Sequence, residues 1–161
     1  MPGMEPEADL DAVDRRILVA LQSQGRATYD ELAAGVGLSA SATVRRVKRL
    51  EETGVIAGYV ALVAPERVGL GLTAYITVRL AKHSEQGSPM ANFTAAVQAW
   101  PEVVECVALS GEMDYLLRVL VRDMAHYSRF IMEGLLKHPA VQDCKTSFMM
   151  KRLKGTTAVP L

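Results

Sequence analysis

The sequence predicts an α+β protein in two parts, three helices ending in a basic one and then a βαββαβ unit. Three observations carry that prediction. Between residues 10 and 54, apolar residues recur at helical spacing, and Asp, Thr or Ser stands ahead of each run. Over residues 55–63 the chain turns β-branched and aromatic. From residue 72 onward, short strand-like and helical patterns follow one another in the order strand, helix, strand, strand, helix, strand.

The elements follow from local chemistry. Residues 1–9 hold two prolines, a glycine and three acids, and predict a flexible arm. Asp11 caps a helix to about Gln24 that carries Val13, Ile17, Leu18 and Leu21 on one side, and Gly25 ends it. Thr28 with Glu31 three residues later is a capping box, opening a short helix whose Leu32, Ala33 and Val36 share a face. Gly35 and Gly37 permit a sharp turn, with Leu38 filling the gap between helices. Ser39 caps a third helix to about Thr53, and Gly54 is the left-handed residue beyond it.

The third helix has two faces. Val44, Val47 and Leu50 form an apolar stripe, while Arg45, Arg46, Lys48 and Arg49 crowd the rest. Four cations in five residues are, taken alone, most often a solvated helix face. Here the capped preceding helix, the glycine turn and the short connection join them. Ser41, Ala42 and Thr43 also keep the leading turn slim, as entry into a groove about 12 Å wide requires. The pattern reads as a helix-turn-helix for double-stranded DNA. Ser41 and Thr43 are the candidates nearest the bases, Arg45, Arg46, Lys48 and Arg49 the candidates for phosphates, and the capping Ser39 belongs to the same DNA-binding set.

Residues 55–63 predict an extended strand within a linker spanning 55–70, where Pro65, Gly69 and Gly71 mark a boundary. So apolar a segment needs a partner for its backbone, and a second copy of the chain supplies one. In the second domain, 71–161, residues 72–81 are a strand and 88–100 a helix opened by Ser-Pro, with Met90, Phe93, Val97 and Trp100 at helical spacing. Strands at 103–109 and 114–121 flank the tight connection 110–113. Asp123 caps a helix to about Leu136, His138-Pro139 stops it, and 141–150 is the last strand. This is the ferredoxin-like order, four antiparallel strands with two helices on one face. Its second and fourth strands lie on opposite edges, so Cys106 and Cys144 are too far apart to bridge and are free thiols.

Composition excludes several classes. Half of the 161 residues are apolar and 22% are charged, which argues against disorder. The net charge is zero, but its position is not neutral: five acids and no base over residues 5–14, four bases and no acid over 45–49. A neutral chain can therefore present a basic stripe. No apolar run is long enough to span a membrane and nothing resembles a secretory signal, so the cytoplasm is the default location. The cysteines lack CxxC spacing and His83, His126 and His138 are scattered, so neither a metal nor a cofactor is expected.

With these residues placed, the chain resembles the Lrp/AsnC (feast/famine) family of transcription regulators over residues 10–155. The resemblance rests on LDAVDRRIL, on GLSASATVRRVKRLEETGVIAGYVA, and on SGEMDYLLRV in that order and spacing. It implies a winged-helix-like DNA-binding domain over 10–54, a strand linker, and a C-terminal domain for regulation of amino-acid metabolism (RAM). It also implies homodimers that assemble into octamers and an amino-acid effector bound between dimers. Two alternatives stay open, an effector-independent architectural DNA binder and an enzyme like the sirohaem decarboxylases, which resemble this family but keep a degenerate helix-turn-helix. The intact basic helix and the lack of a concentrated His/Arg site argue against the enzyme.

The resemblance also changes how the connection Ser110-Gly111-Glu112-Met113-Asp114-Tyr115 reads. Gly111 lets a carboxylate approach backbone N–H groups, and Asp114 offers an anion to an α-ammonium. Without the resemblance, a turn in which Asp114 caps the backbone is the commoner reading. Met124, Ser147 and Phe148 are the candidates to complete the pocket. Met113, Met124, Met132, Met149 and Met150 read as adaptable packing at a subunit interface.

Overall fold

Local capping chemistry builds the first part of the computed structural model, which describes residues 8–82 and 88–161. The arm expected over 1–9 falls almost wholly outside these residues, as does His83. Asp11 accepts the backbone N–H groups of Val13 and Asp14 at 2.9 and 2.8 Å, and Asp14 accepts the N–H of Asp11 at 3.2 Å. This reciprocal box opens α1 (Ala12–Ser23). Thr28 and Glu31 repeat the device ahead of α2 (Tyr29–Val36), with the Thr28 N–H donating to Glu31 at 2.7 Å. Each cap contributes about 0.5–2 kcal/mol, which matters most for so short a helix as α2. Gly37 ends it at φ +72°, a conformation L side chains rarely adopt, and redirects the chain into α3 (Ala40–Glu52). Ser39 caps α3 by accepting the Ala42 N–H at 3.3 Å.

Ile17, Leu18, Leu32, Val36, Val47 and Leu50 close the three helices around one core. The buried face of α3 differs from the expected one by a single residue: Thr43, not Val44, lies fully buried beside Val47 and Leu50. Thr43 can occupy an apolar site because its hydroxyl donates to the Ser39 carbonyl at 3.0 Å. No strand forms a wing here among the described residues; the unit is three helices and their connections.

The strand expected over 55–63 does not form within the chain. Val55 and Ile56 turn into the helical core, and the Ile56 N–H donates to Leu50. Beyond them the backbone is unpaired, and Val60 and Leu62 stand 83% and 73% exposed. A β-strand is a two-body object, and no segment of the described chain offers the second body. The contacts divide the chain near this point: one unit runs through Leu62 and includes Lys154–Leu161, the other is Val63–Leu153. The last eight residues, expected with the second domain, thus belong with the helices. The Gln22 amide holds Val159 there by two hydrogen bonds, accepting its N–H at 2.6 Å and donating to its carbonyl at 3.2 Å.

The second unit has the expected split order: β1 (Leu72–Leu80), α4 (Pro89–Ala99), β2 (Val103–Ala108), β3 (Tyr115–Val121), α5 (Met124–Arg129) and β4 (Val141–Phe148). The antiparallel sheet runs β2-β3-β1-β4. Period-two alternation aims Tyr115, Leu117, Val119 and Val121 into the core and leaves Leu116, Arg118 and Leu120 partly exposed on the other face. Phe93 of α4 anchors the core, its ring 5.1 Å from Tyr115 and 6.1 Å from Trp100. Cys106 and Cys144 lie on the two edge strands and are free.

The helix expected over 123–136 is not uniform. After α5 the backbone widens into a π-helical segment, Phe130–Leu135, where the Leu136 N–H donates to Ile131 at 2.9 Å. The wider turn brings the buried Phe130, Ile131 and Leu135 onto a narrower face than 3.6-residue spacing would give.

Candidate nucleic-acid interface and effector loop

The exposed side of α3 is narrower than its sequence suggests. Ser41, Arg45 and Lys48 follow one another along one exposed stripe, with the acidic Glu52 at its far end. Neither Arg45 nor Lys48 forms an ion pair among the described residues. The other two cations turn toward α1. Arg46 donates to Asp11 at 2.7 Å and to Asp14 at 2.8 Å, and Arg49 donates to the other Asp14 oxygen. Of the small polar candidates, Ser41 is exposed, Ser39 is committed to its cap, and Thr43 is buried and closed off by its own hydrogen bond. Thr43 therefore has no surface to offer a base, which corrects the expectation.

Sequence reasoning missed Asp14, the buried carboxylate that gathers these arginines. The signal was present: Asp14 shares the helical face of Ile17, Leu18 and Leu21, where an acid needs a buried partner. Its neighbour Asp11 is exposed, yet the Asp14 backbone N–H and then the Arg46 guanidinium hold its carboxyl down at about 2 from an ordinary 3.8. A carboxyl depressed on folding stabilises the protein above its unfolded value and loses that contribution as the pH falls through its folded one. An acid titration of the full chain by circular dichroism should show helix stability falling between about pH 4 and pH 2. Asp11→Asn should flatten that limb.

On the C-terminal side of α3, the Tyr59 hydroxyl donates to Glu51 at 2.9 Å. Burial, and then this carboxylate, push the phenol up to about 12. The contact closes one side of a cleft of about 370 Å³ floored by Leu21, Ala27, Leu32 and Val47.

The effector candidates divide into groups. Ser110, Gly111, Glu112, Met113 and Asp114 form the connection between β2 and β3, where Gly111 takes φ +133°. Asp114 braces this loop against β1. Its carboxylate accepts the Leu80 N–H at 2.7 Å where the register of β1 against β4 shifts, and its own N–H donates to Val78 at 2.9 Å. Arg79 adds a hydrogen bond to the Glu112 carbonyl at 3.0 Å. Tyr115 does not belong to the loop's surface: it is buried and packed against Phe93 with the rings tilted at 42°, as the first inward residue of β3 must be.

The remaining three candidates lie elsewhere. Phe148 pairs with Ala74 and Tyr115 with Val78, so Phe148 sits four residues, about 13 Å, along the sheet from the loop. Met124 follows β3 at that far end and is exposed. Phe148 faces the helices, its ring 4.8 Å from Tyr127, whereas Ser147 beside it points to the opposite face. One chain does not bring these side chains into one pocket. Among the described residues, no group of His, Cys, Asp and Glu gathers as metal ligands, and no helix is long and apolar enough to cross a membrane.

Comparison with known proteins agrees with both units. Residues 10–51 match the AsnC-type helix-turn-helix domain, and residues 73–159 match the Lrp/AsnC ligand binding domain. The leucine-responsive regulatory protein of Haemophilus influenzae is 40% identical over 152 residues, covering 94% of this chain and 90% of its own. Its Escherichia coli counterpart is 40% identical over 149 residues, covering 92% and 90%. A transcriptional regulator of Neisseria meningitidis, solved in complex with L-Met, superposes with a TM-score of 0.89 at 45% identity over 94% of this chain and 96% of its own. An AsnC family regulator of Agrobacterium tumefaciens gives 0.86 at 38% identity, covering 94% and 97%. With its capped basic helix, its split βαββαβ sheet and relatives along nearly its whole length, the chain belongs to the Lrp/AsnC family of DNA-binding transcriptional regulators.

Proposed function

We propose that Ser41, Arg45 and Lys48 are the DNA-reading face of this regulator, and that an amino acid modulates it from a site completed by a second copy of the chain. The observation that carries the first half is the exposed stripe on α3, whose two cations are uncompensated while their neighbours are paired. Ser41 stands in the leading turn, the part of a recognition helix that meets base edges, and Arg45 and Lys48 follow where phosphates flank the groove. In a dimer, two such helices enter successive major grooves of a pseudo-palindromic site.

The second half draws on the division of the effector candidates. Asp114 with its loop, and Met124 with Phe148, stand at opposite ends of one sheet, so two copies are needed to bring both kinds of group to one ligand. Met124, Met132 and Leu136 are exposed along α5 and its continuation, and Met150 is 96% exposed, an adaptable apolar surface suited to contact between copies. The unpaired linker gives a second reason to expect at least a homodimer, with octamers as the further assembly. The relative crystallised with L-Met supports the amino-acid class of the effector. In this reading the protein is a cytoplasmic regulator and not an enzyme.

Thermal unfolding of the full chain scanned against the common amino acids tests the effector half. A ligand at 100 times its dissociation constant adds about 2.7 kcal/mol. At least one amino acid should raise the midpoint reproducibly. A flat profile at millimolar concentrations of all of them would favour an architectural DNA binder that takes no effector.

A further inference from the structure

Two of the four cations on the basic helix point inward, and the group that receives them is almost completely withdrawn from water. Asp14 is 1% exposed and uses both oxygens: one accepts from Arg46, the other from Arg49 and from the Asp11 N–H. Arg46 spans to Asp11 as well and is 26% exposed, whereas Arg49 is 50% exposed. Two carboxylates face two guanidinium groups, so the cluster is neutral as a whole. The positive charge left to α3 between residues 45 and 49 is that of Arg45 and Lys48.

Burying a carboxylate such as Asp14 to meet guanidinium groups is a poor device for stability alone, because apolar residues of similar volume often hold an interface at least as well. What it supplies is direction. Arg46 reaches both acids through one nitrogen, Nη1, and because guanidinium N–H groups lie in a fixed plane each contact sets an angle as well as a distance. Arg46 and Arg49 lie three residues apart, nearly one helical turn, and grip one carboxylate of α1 from two levels of α3. Such a grip resists both sliding of α3 along its axis and rotation about it. Rotation by one residue, about 100°, would carry Ser41, Arg45 and Lys48 off the presented face.

We propose that Asp14 is a positioning residue for DNA recognition: through Arg46 and Arg49 it fixes the seat and roll of α3, and Arg46 neutralises no phosphate. The proposal rests on the reading of α3 as the DNA-binding face and adds how that face is aimed.

The test uses the full chain, a duplex selected by the wild type from a random pool, and an unrelated duplex of equal length. Asp14→Asn removes a negative charge, so an electrostatic role alone tightens binding to both duplexes. A positioning role instead lowers the ratio of selected to unrelated affinity by about tenfold, with unrelated binding unchanged or tighter. Arg46→Lys keeps the charge, but its ammonium ends one bond short of the Nη1 that bridges Asp11 and Asp14. It should lower the same ratio while leaving the log–log salt slope intact. If Asp14→Asn does not fold, Arg46→Lys decides, since its site is partly open and its charge is kept. An unchanged ratio in folded Arg46→Lys overturns the proposal, as does a loss of about one unit of salt slope in Arg46→Gln. A wild type that selects no duplex at all would instead overturn the reading of α3 itself.

Discussion

Replacing Arg45 and Lys48 together with alanine lowers the log–log salt slope of duplex binding by about two units, one for each cation. Both side chains are exposed on α3 and form no ion pair among the described residues, so each can displace counterions from a phosphate. The loss falls on all sequences alike, because phosphate contacts position the protein and carry no base information. Folding should be nearly unaffected, since exposed residues away from caps and core usually change stability by less than about 0.5 kcal/mol. A fluorescence-anisotropy titration at several salt concentrations gives the slope directly. If the double variant keeps the wild-type slope while folded, the phosphate-facing surface lies elsewhere, and Arg15 and Arg16 on the exposed side of α1 become the next candidates.

Asp114→Asn raises the amino-acid concentration needed for a response by about tenfold or more while leaving basal DNA binding in place. The asparagine side-chain oxygen can still accept the Leu80 N–H that Asp114 accepts at 2.7 Å, so the brace on β1 survives. The negative charge for an α-ammonium does not survive. Loss of a hydrogen bond to a charged group costs about 1.5–3 kcal/mol, a tenfold or greater weakening of the ligand. Asp114→Ala is the harsher companion, since it also strips the brace and leaves the Leu80 N–H without its partner. The pair separates the two roles. An Asn variant with the wild-type effector midpoint and an Ala variant without it would make Asp114 a turn residue only.

Much of the architecture was legible because the signals that fix it are local. Asp11, Thr28 and Ser39 each bond within three residues of themselves, and all three caps form as their spacing predicts. The alternation of β3 was equally local. It could also have placed Tyr115 in the core, since Tyr115 shares its parity with Leu117, Val119 and Val121. What stayed hidden depends on distant partners. The linker looks like a strand by composition, but pairing needs a second backbone that the described residues do not offer. Apolar positions on a helix as short as α3 fix its face only to within one residue. Thr43 could therefore replace Val44 once Ser39 was found to satisfy its hydroxyl. The basic run read as four equivalent cations because Asp11 and Asp14 lie more than thirty residues away in sequence.

The candidate effector residues show the same limit. Ser147 and Phe148 are adjacent in sequence and therefore on opposite faces of the strand, a fact that period-two geometry makes unavoidable. Their distance from the Asp114 loop required the register of three strands, which no local pattern contains.

Affinity of the full chain for its selected duplex, measured with and without each common amino acid at fixed salt, tests the central claim most directly. Effector and DNA are linked through one protein, so an amino acid that binds the two states unequally must shift the DNA dissociation constant by the same factor that DNA shifts its own. The account predicts salt-dependent duplex binding whose dissociation constant moves at least about fivefold with one or more amino acids. Duplex binding that no amino acid alters would contradict it.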